Sequence, residues 1–203
     1  MGLPKVFSYG LTSCPAGFFL FEPESGFLLE MSFFGAIVRA RFKLMSRRSA
    51  ARLIESEAAR YFEIVDKLGP ENCVKSFRVP SMLGVDDDMR DWSVVKILGH
   101  NAIVNRQITV ALIHSAQGEI YETDFNMKTD VMPADDVGGE QVEEFRNSVQ
   151  AHLKAASGFT KLRGTLRRVH AIFGPLDAHG WNCVFGVHLQ LHRKQAEAIA
   201  AQV

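Results

Sequence analysis

The sequence predicts an all-α protein whose main domain, residues 46–203, is a bundle of four helices. Two observations predict this fold class. Apolar residues recur every three or four positions along four segments of the chain, as they do on one face of a helix. Residue pairs that end helices, such as Gly69-Pro70 and Gly174-Pro175, separate these segments. At 203 residues, the chain is long enough for one domain with a sizeable core and an extra terminal segment.

Residues 1–45 are expected to form an N-terminal extension outside the helical domain. They are rich in phenylalanine and glycine, and Pro4, Pro15 and Pro23 interrupt any long helix. This composition fits an irregular or partly disordered segment, and it also fits a short β-hairpin around residues 23–26.

The first predicted helix spans about residues 49–68 and ends at Gly69-Pro70. The second spans about residues 92–114, with Asp91 as its expected N-cap. Two neighbouring apolar stripes run along the second helix, so we expect it to be buried on much of its circumference.

The third predicted helix follows Gly138-Gly139, and its apolar face continues as far as Val169. The fourth begins after Asp177, its expected N-cap. The short connection between these two helices favours antiparallel neighbours. The segment 115–137 is instead too long for a simple turn, so it could cross the end of the bundle. This segment is also acidic and could cover a site.

Charge and composition exclude several classes of function. The 23 lysine and arginine residues balance 23 acidic residues, and a neutral chain lacks the basic face that nucleic-acid binding requires. No apolar stretch reaches the roughly 20 residues of a membrane span, and the first residues lack the pattern of a secretion signal. The three scattered cysteines form no CxxC pair. We therefore expect a cytoplasmic protein that binds neither nucleic acid nor membrane.

The pair His188 and His192 is the first candidate for a functional site. Residues four apart lie on the same side of a helix, and this pair shares the apolar side of the fourth helix with Trp181 and Phe185. Two imidazoles at this spacing can bind one metal ion. The spacing alone fits two hydrogen-bonded histidines at the core edge equally well, so the interpretation depends on context.

His100 supplies this context. It lies between Ile97 and Val104 on an apolar stripe of the second helix. A lone histidine there is usually a hydrogen-bonded core residue, yet three inward-facing imidazoles on two buried helices are unfavourable without a common partner. We therefore interpret His100, His188 and His192 as ligands of one divalent metal ion, with coordination positions left for water or substrate.

The other histidines and the nearest cysteine have more ordinary interpretations. His114 lies about 21 Å along the helix from the first ligand, too far to share the ion. His152 is a candidate for supporting the ligands from the neighbouring helix. His170 and His179 are expected in a turn or cap, and Cys183 is expected to be a small core or edge residue.

Two segments resemble the DinB-like superfamily of metal-binding helical proteins. The first is WSVVKILGHNAIVNRQ, residues 92–107, in which His100 follows a tryptophan near the start of the helix. The second, residues 167–199, contains a His-x-x-Phe-Gly turn, a tryptophan, and His-x3-His followed by glutamine. The matching residues are His170, Phe173, Gly174, Trp181, His188, His192 and Gln195. Leu191 stands where that branch of the superfamily often has another histidine.

This resemblance covers about residues 47–200 and implies an up-down-down-up four-helix bundle with the metal ligands His100, His188 and His192. It also implies a small-molecule substrate, because some relatives are thiol-dependent transferases or isomerases that use bacillithiol, mycothiol or glutathione. Zinc or nickel is the expected ion, with iron and manganese as alternatives.

The expected function is therefore a metal-dependent enzyme in which the ion activates a low-molecular-weight thiol or a water molecule, as a thiol S-transferase or a hydrolase would. The alternative is a non-catalytic metal-binding or stress-response module, with a homodimer as one option for its assembly. A third interpretation is a metal-free bundle in which the histidines are structural remnants.

Overall fold

The computed structural model describes residues 25–203 except residues 122, 124, 127 and 128, and it describes side chains from residue 35 onward. This part of the chain is mainly helical, which confirms the predicted all-α class, and it contains one small two-stranded sheet. The elements in chain order are α1 (Ser25–Leu44), α2 (Arg47–Leu68), α3 (Pro70–Cys73), a 3-10 turn (Asp87–Met89), α4 (Val94–Gln117), α5 (Glu140–Gly158), β1 (Arg168–His170), β2 (Gly174–Leu176) and α6 (Ala178–Ala200). Within this part of the chain, no helix is long and apolar enough to cross a membrane.

Local side-chain and backbone signals set the helix ends. The Ser46 hydroxyl caps α2 by accepting a backbone N–H three residues on, and Gly69 ends this helix at a φ of 71° that residues with a side chain rarely adopt. α4 is capped by Ser93, whose hydroxyl accepts the backbone N–H of Lys96 at 3.2 Å. The prediction of Asp91 as the cap is therefore wrong, because Ser93 is the extended residue directly before the helix. Asp177 caps α6 as predicted.

Residues 25–44 form helix α1, so the expectation of irregular or hairpin structure is wrong for this segment. No proline follows Pro23 here, and Arg41 and Lys43 in the last turn suit a helix C-terminus. The buried Phe42 ring packs edge-on against Phe173, with 6.0 Å between ring centroids. Residues 1–24 lie outside the described part of the chain.

The third predicted helix is shorter than its apolar pattern indicated. α5 ends at Gly158, a poor helix former, and Phe159 has extended φ and ψ angles of −93° and 137°. The apolar residues that continue to Val169 lie in turns and in β1, which pairs antiparallel with β2. The connection to α6 is therefore long. The short connection predicted between these helices is therefore wrong. α5 packs mainly against α4, and it also touches α6, because His152 of α5 contacts Asn182 and Phe185 of α6.

The four long helices α2, α4, α5 and α6 surround a common core. α4 lies against both α5 and α6, while α2 lies against α6 and more sparsely against α5. Tyr61 is fully buried at this junction, where its hydroxyl donates to the Leu189 carbonyl and accepts from Asn101 Nδ2, both at 3.0 Å. Gly186 permits the close approach of α6 to α2, since a Cβ there would lie 2.9 Å from the Leu53 side chain. These contacts hold α4 and α6 with their histidines on facing sides.

A buried ion pair adds a second polar link between α2 and α6. The Arg193 guanidinium donates to the Glu57 carboxylate, and these side chains are only 8% and 4% exposed. Arg193 follows His192 directly in α6, so the ion pair also restrains this part of the site.

Candidate metal centre

Three histidines from two helices converge on one point. His100 lies on α4, and His188 and His192 lie one turn apart on α6. One ring nitrogen from each residue can be chosen so that all three atoms lie within 4.8 Å of one another. The ring centroids are separated by 5.3 Å for the pair His100 and His188, 4.6 Å for His100 and His192, and 4.7 Å for His188 and His192. The predicted site residues are thus brought together, and they could hold a metal ion.

The ring of His100 is oriented by the long connection between α4 and α5. Its Nδ1 donates a hydrogen bond to the backbone carbonyl of Val131 at 2.9 Å. The Trp92 ring lies beside it, with 5.4 Å between ring centroids. With Nδ1 protonated, the Nε2 lone pair is free to bind a metal ion, as is usual for histidine ligands held by a carbonyl.

His192 is oriented in the same way by a glutamine one turn further along α6. Its Nδ1 donates to Gln195 Oε1 at 3.1 Å, and Gln195 Nε2 donates to the Met89 carbonyl at 2.7 Å. Gln195 is completely buried, so both of its polar ends depend on these partners. The chain of two bonds sets the His192 tautomer and leaves Nε2 as the potential ligand.

His188 differs because the described residues offer no hydrogen bond to its enclosed Nδ1 atom. A buried ring nitrogen without a partner costs about 1–3 kcal/mol, which is unusual in a packed structure. A metal ion bound at this Nδ1 atom, and shared with the other two histidines, would remove this cost. The donor set of three imidazoles therefore fits a divalent metal ion.

Burial keeps the three imidazoles neutral at physiological pH. It lowers the pKa of His100 and lowers the pKa of His192 to about 3. The pKa of His188 is held well below the usual value by burial and also by the positive charge that its histidine neighbours would carry. Neutral rings are the form that binds metal, so the site needs no proton release before it can coordinate an ion near pH 7.

A cavity of about 370 Å³ borders the three histidines. Its walls come from α4, α6, the β1–β2 hairpin and the connection between α4 and α5. The connection contributes Tyr121, Thr123, Phe125 and Val131, in agreement with the expectation that this segment covers a site. The described part of the chain provides no fourth histidine, cysteine or carboxylate to the ligand cluster. The arrangement thus leaves room for a small molecule beside three protein ligands.

The remaining histidines lie outside the cluster, and one of them lines the cavity. His114 pairs with Glu119 at 2.9 Å. His179 lies in the first turn of α6 and donates from Nε2 to the Phe42 carbonyl of α1 at 3.0 Å. His170 ends β1 beside the predicted turn, and its Nδ1 accepts the backbone N–H groups of residues 172 and 173 in that turn. It also lines the cavity, and burial lowers its pKa to about 4.

His152 does not support the metal ligands, so that prediction is wrong. Its ring nitrogens lie 2.9 Å from Thr109 Oγ1 and 3.1 Å from Asn182 Oδ1, and its ring stacks on Phe185. Cys183 is fully buried, and burial raises the pKa of its thiol to about 12. This thiol therefore remains protonated, as the interpretation of a core residue required.

Three participants in the site were not predicted from the sequence. The carbonyls of Met89 and Val131 are backbone groups, which no residue type indicates. Arg168 lines the cavity from β1, a strand that the helical interpretation did not include. The HLQLH spacing found the ligands on α6, while the glutamine after it was a recognisable signal for the residue that orients His192.

Comparison with known proteins adds no relative to this picture: no family model, no curated protein and no solved structure matches the chain.

Proposed function

We propose that this protein is a metal-dependent enzyme in which His100, His188 and His192 hold one divalent metal ion beside the cavity. One observation carries the proposal: three neutral imidazoles, two of them oriented by hydrogen bonds, meet at a cavity wall without a fourth ligand from the described residues. Catalytic sites keep such an open position, whereas structural zinc sites close it with a fourth protein ligand. When bound, the ion would lower the pKa of a coordinated thiol or water and supply a nucleophile near neutral pH.

The protein's own residues would orient the ligands and limit access of water. Val131 and Gln195 hold two of the three rings, and the apolar cavity walls restrict solvent around the reacting groups. His170 keeps its Nδ1 on two backbone N–H groups, so its single proton resides on Nε2. This N–H is a hydrogen-bond donor on a ring that lines the cavity, and it would remain neutral down to a pH of about 4.

Thiol S-transfer is the reaction that we favour, with a low-molecular-weight thiol as one substrate. The motif around Trp181 and Gln195 supports it, through the resemblance to DinB-like proteins. We likewise propose the up-down-down-up arrangement of α2, α4, α5 and α6 and membership of that superfamily. Zinc or nickel suits the ligands best, with iron and manganese as alternatives.

Metal analysis of the purified protein tests the site. We expect about one equivalent of metal per chain, loss of most of it in His188→Ala, and retention in the control His114→Ala. His114 is a suitable control because it lies on α4 outside the ligand cluster, where it pairs with Glu119 and stacks on Tyr121. Unchanged stoichiometry in His188→Ala would refute the site. A screen of thiols with electrophilic substrates, compared between native protein and His188→Ala, then tests the reaction.

A structural role for the metal is the competing function, because the ligands link α4 to α6. Melting with and without a chelator measures this contribution. A large loss of stability on chelation, together with no turnover and no exchangeable ligand on the bound metal, would favour the non-catalytic module.

A further inference from the structure

Arg168 lines the cavity and carries a guanidinium without an ion-pair partner among the described residues. It lies in β1, where backbone pairing with Leu176 of β2 fixes its position. Its Nη1 atom is enclosed, and the described part of the chain offers it no hydrogen-bond partner. An enclosed guanidinium N–H without an acceptor is unfavourable unless a ligand supplies one.

An aromatic ring holds the Arg168 side chain in place. The guanidinium carbon lies 5.0 Å from the centroid of the Tyr121 ring, at the distance of a cation–π contact. Tyr121 is in turn stacked on His114, with 4.6 Å between centroids and 5° between ring planes. The guanidinium is therefore supported before any ligand binds, and a planar fork of N–H donors matches a carboxylate better than it matches a neutral group.

The remaining surface of the cavity is mainly apolar. Ile108, Phe125, Val184 and Val187 are among the residues that line it. Arg168 is the one lysine or arginine among the described lining residues, and Asp86 is the one acidic residue. Arg168 is thus the one cationic side chain of the described lining that can pair with an anionic group away from the histidines. One guanidinium matches the single charge of a carboxylate and would leave a dianionic phosphate at that end only half neutralised.

We propose that the substrate is a small, largely apolar molecule with a single carboxylate, which Arg168 binds while the reacting group lies at the three histidines. The assignment of the reacting end rests on the proposed function, because the metal site defines it. Arg168 is thus a specificity-determining residue. It would select acids over uncharged analogues of equal length.

Mercaptoalkanoic acids provide a direct probe, since the thiol can bind the metal while the carboxylate pairs with Arg168. We would measure their dissociation constants by calorimetry on the zinc-loaded full chain, with about three to eight carbon atoms, beside the primary amides of the same lengths. At the best length, the acid should bind roughly tenfold or more tightly than the amide, because a charge-assisted hydrogen bond replaces a neutral one.

Substitutions then assign the preference to one side chain. Arg168→Gln should remove the preference for the acid, and Arg168→Lys should retain part of it through its charge. Arg167→Gln is the matched control, because Arg167 is the exposed neighbour in sequence and does not line the cavity. Zinc content and melting temperature are measured for each variant, so that misfolding is separated from loss of recognition.

Two results would overturn the proposal: equal binding of acid and amide by the native protein, or a preference that persists in Arg168→Gln. If the protein binds none of zinc, nickel, iron and manganese, the proposed function fails on that measurement alone. The recognition of carboxylate is then still tested with simple alkanoic acids and their amides, which lack the thiol. A failure of the metal site can thereby be distinguished from a failure of carboxylate recognition by Arg168.

Discussion

Replacing Gln195 by methionine tests whether the hydrogen bonds behind the ligands prepare the metal site. Methionine has a similar length and keeps the volume of this fully buried position, but it neither accepts from His192 nor donates to the Met89 carbonyl. His192 then loses the bond that sets its tautomer and ring orientation. The ligand count is unchanged, so any loss of affinity reports on orientation.

The expected effect is a metal affinity that is about 10- to 100-fold lower, as found for partners of metal-binding histidines in general. This range corresponds to about 1.4–2.7 kcal/mol of binding free energy. The metal-free protein should also lose about 1–3 kcal/mol of stability, because the Met89 carbonyl loses its donor.

Competition with a chromophoric chelator measures the affinity, and chemical denaturation of the metal-free protein measures the stability. The control is Gln107→Met, because Gln107 is an amide that lines the same cavity without a hydrogen bond to the three histidines. An affinity of Gln195→Met within about threefold of the native value would refute the reasoning, since orientation by an outer partner should have a larger effect.

Two further predictions concern stability. Burial lowers the pKa of His152 to about 4, whereas the unfolded chain takes up this proton near pH 6.5, so the unfolded state binds more protons between these values. His152 should therefore contribute about 3 kcal/mol of stability above about pH 6.5, which is lost as the pH falls towards 4. Denaturation measured from about pH 7 to about pH 4.5 should show a free energy of unfolding that depends less on pH in His152→Gln than in the native protein. An identical pH dependence in the two proteins would contradict this. Glu57→Leu should cost about 3 kcal/mol because it leaves Arg193 buried without its main partner, and adding Arg193→Met should recover much of that loss. A double variant no more stable than Glu57→Leu would show that the unpaired charge is not the cause.

Residue spacing predicts the three histidines of the site but not the groups that orient them. The spacing of His188 and His192 predicts a shared helix face, because residues four apart meet on any helix. The apolar neighbours of His100 predict that it points into the same core. What the pattern could not predict is which groups hold the rings. Every residue carries a carbonyl, so Val131 has no sequence signal that distinguishes it from its neighbours.

The wrong end of α5 and the missed helix α1 both follow from local sequence patterns. The apolar residues after Gly158 continue a helical period, but periodicity does not distinguish a helix from a turn followed by a short strand. At the start of the chain, each proline before residue 25 disfavours a helix only near its own position, and α1 follows the last of them.

By itself, the sequence determined the helical class, the end of α2, the starts of α5 and α6, and the three candidate ligands, because capping residues and one-turn spacing act over a few neighbouring positions. Tertiary structure alone decided that α4 and α6 face each other, that Gln195 and Val131 orient the ligands, and that Arg168 reaches the cavity. These relations join residues far apart in the chain. They depend on how buried faces pack and on which polar groups then find partners, and no local pattern encodes that outcome.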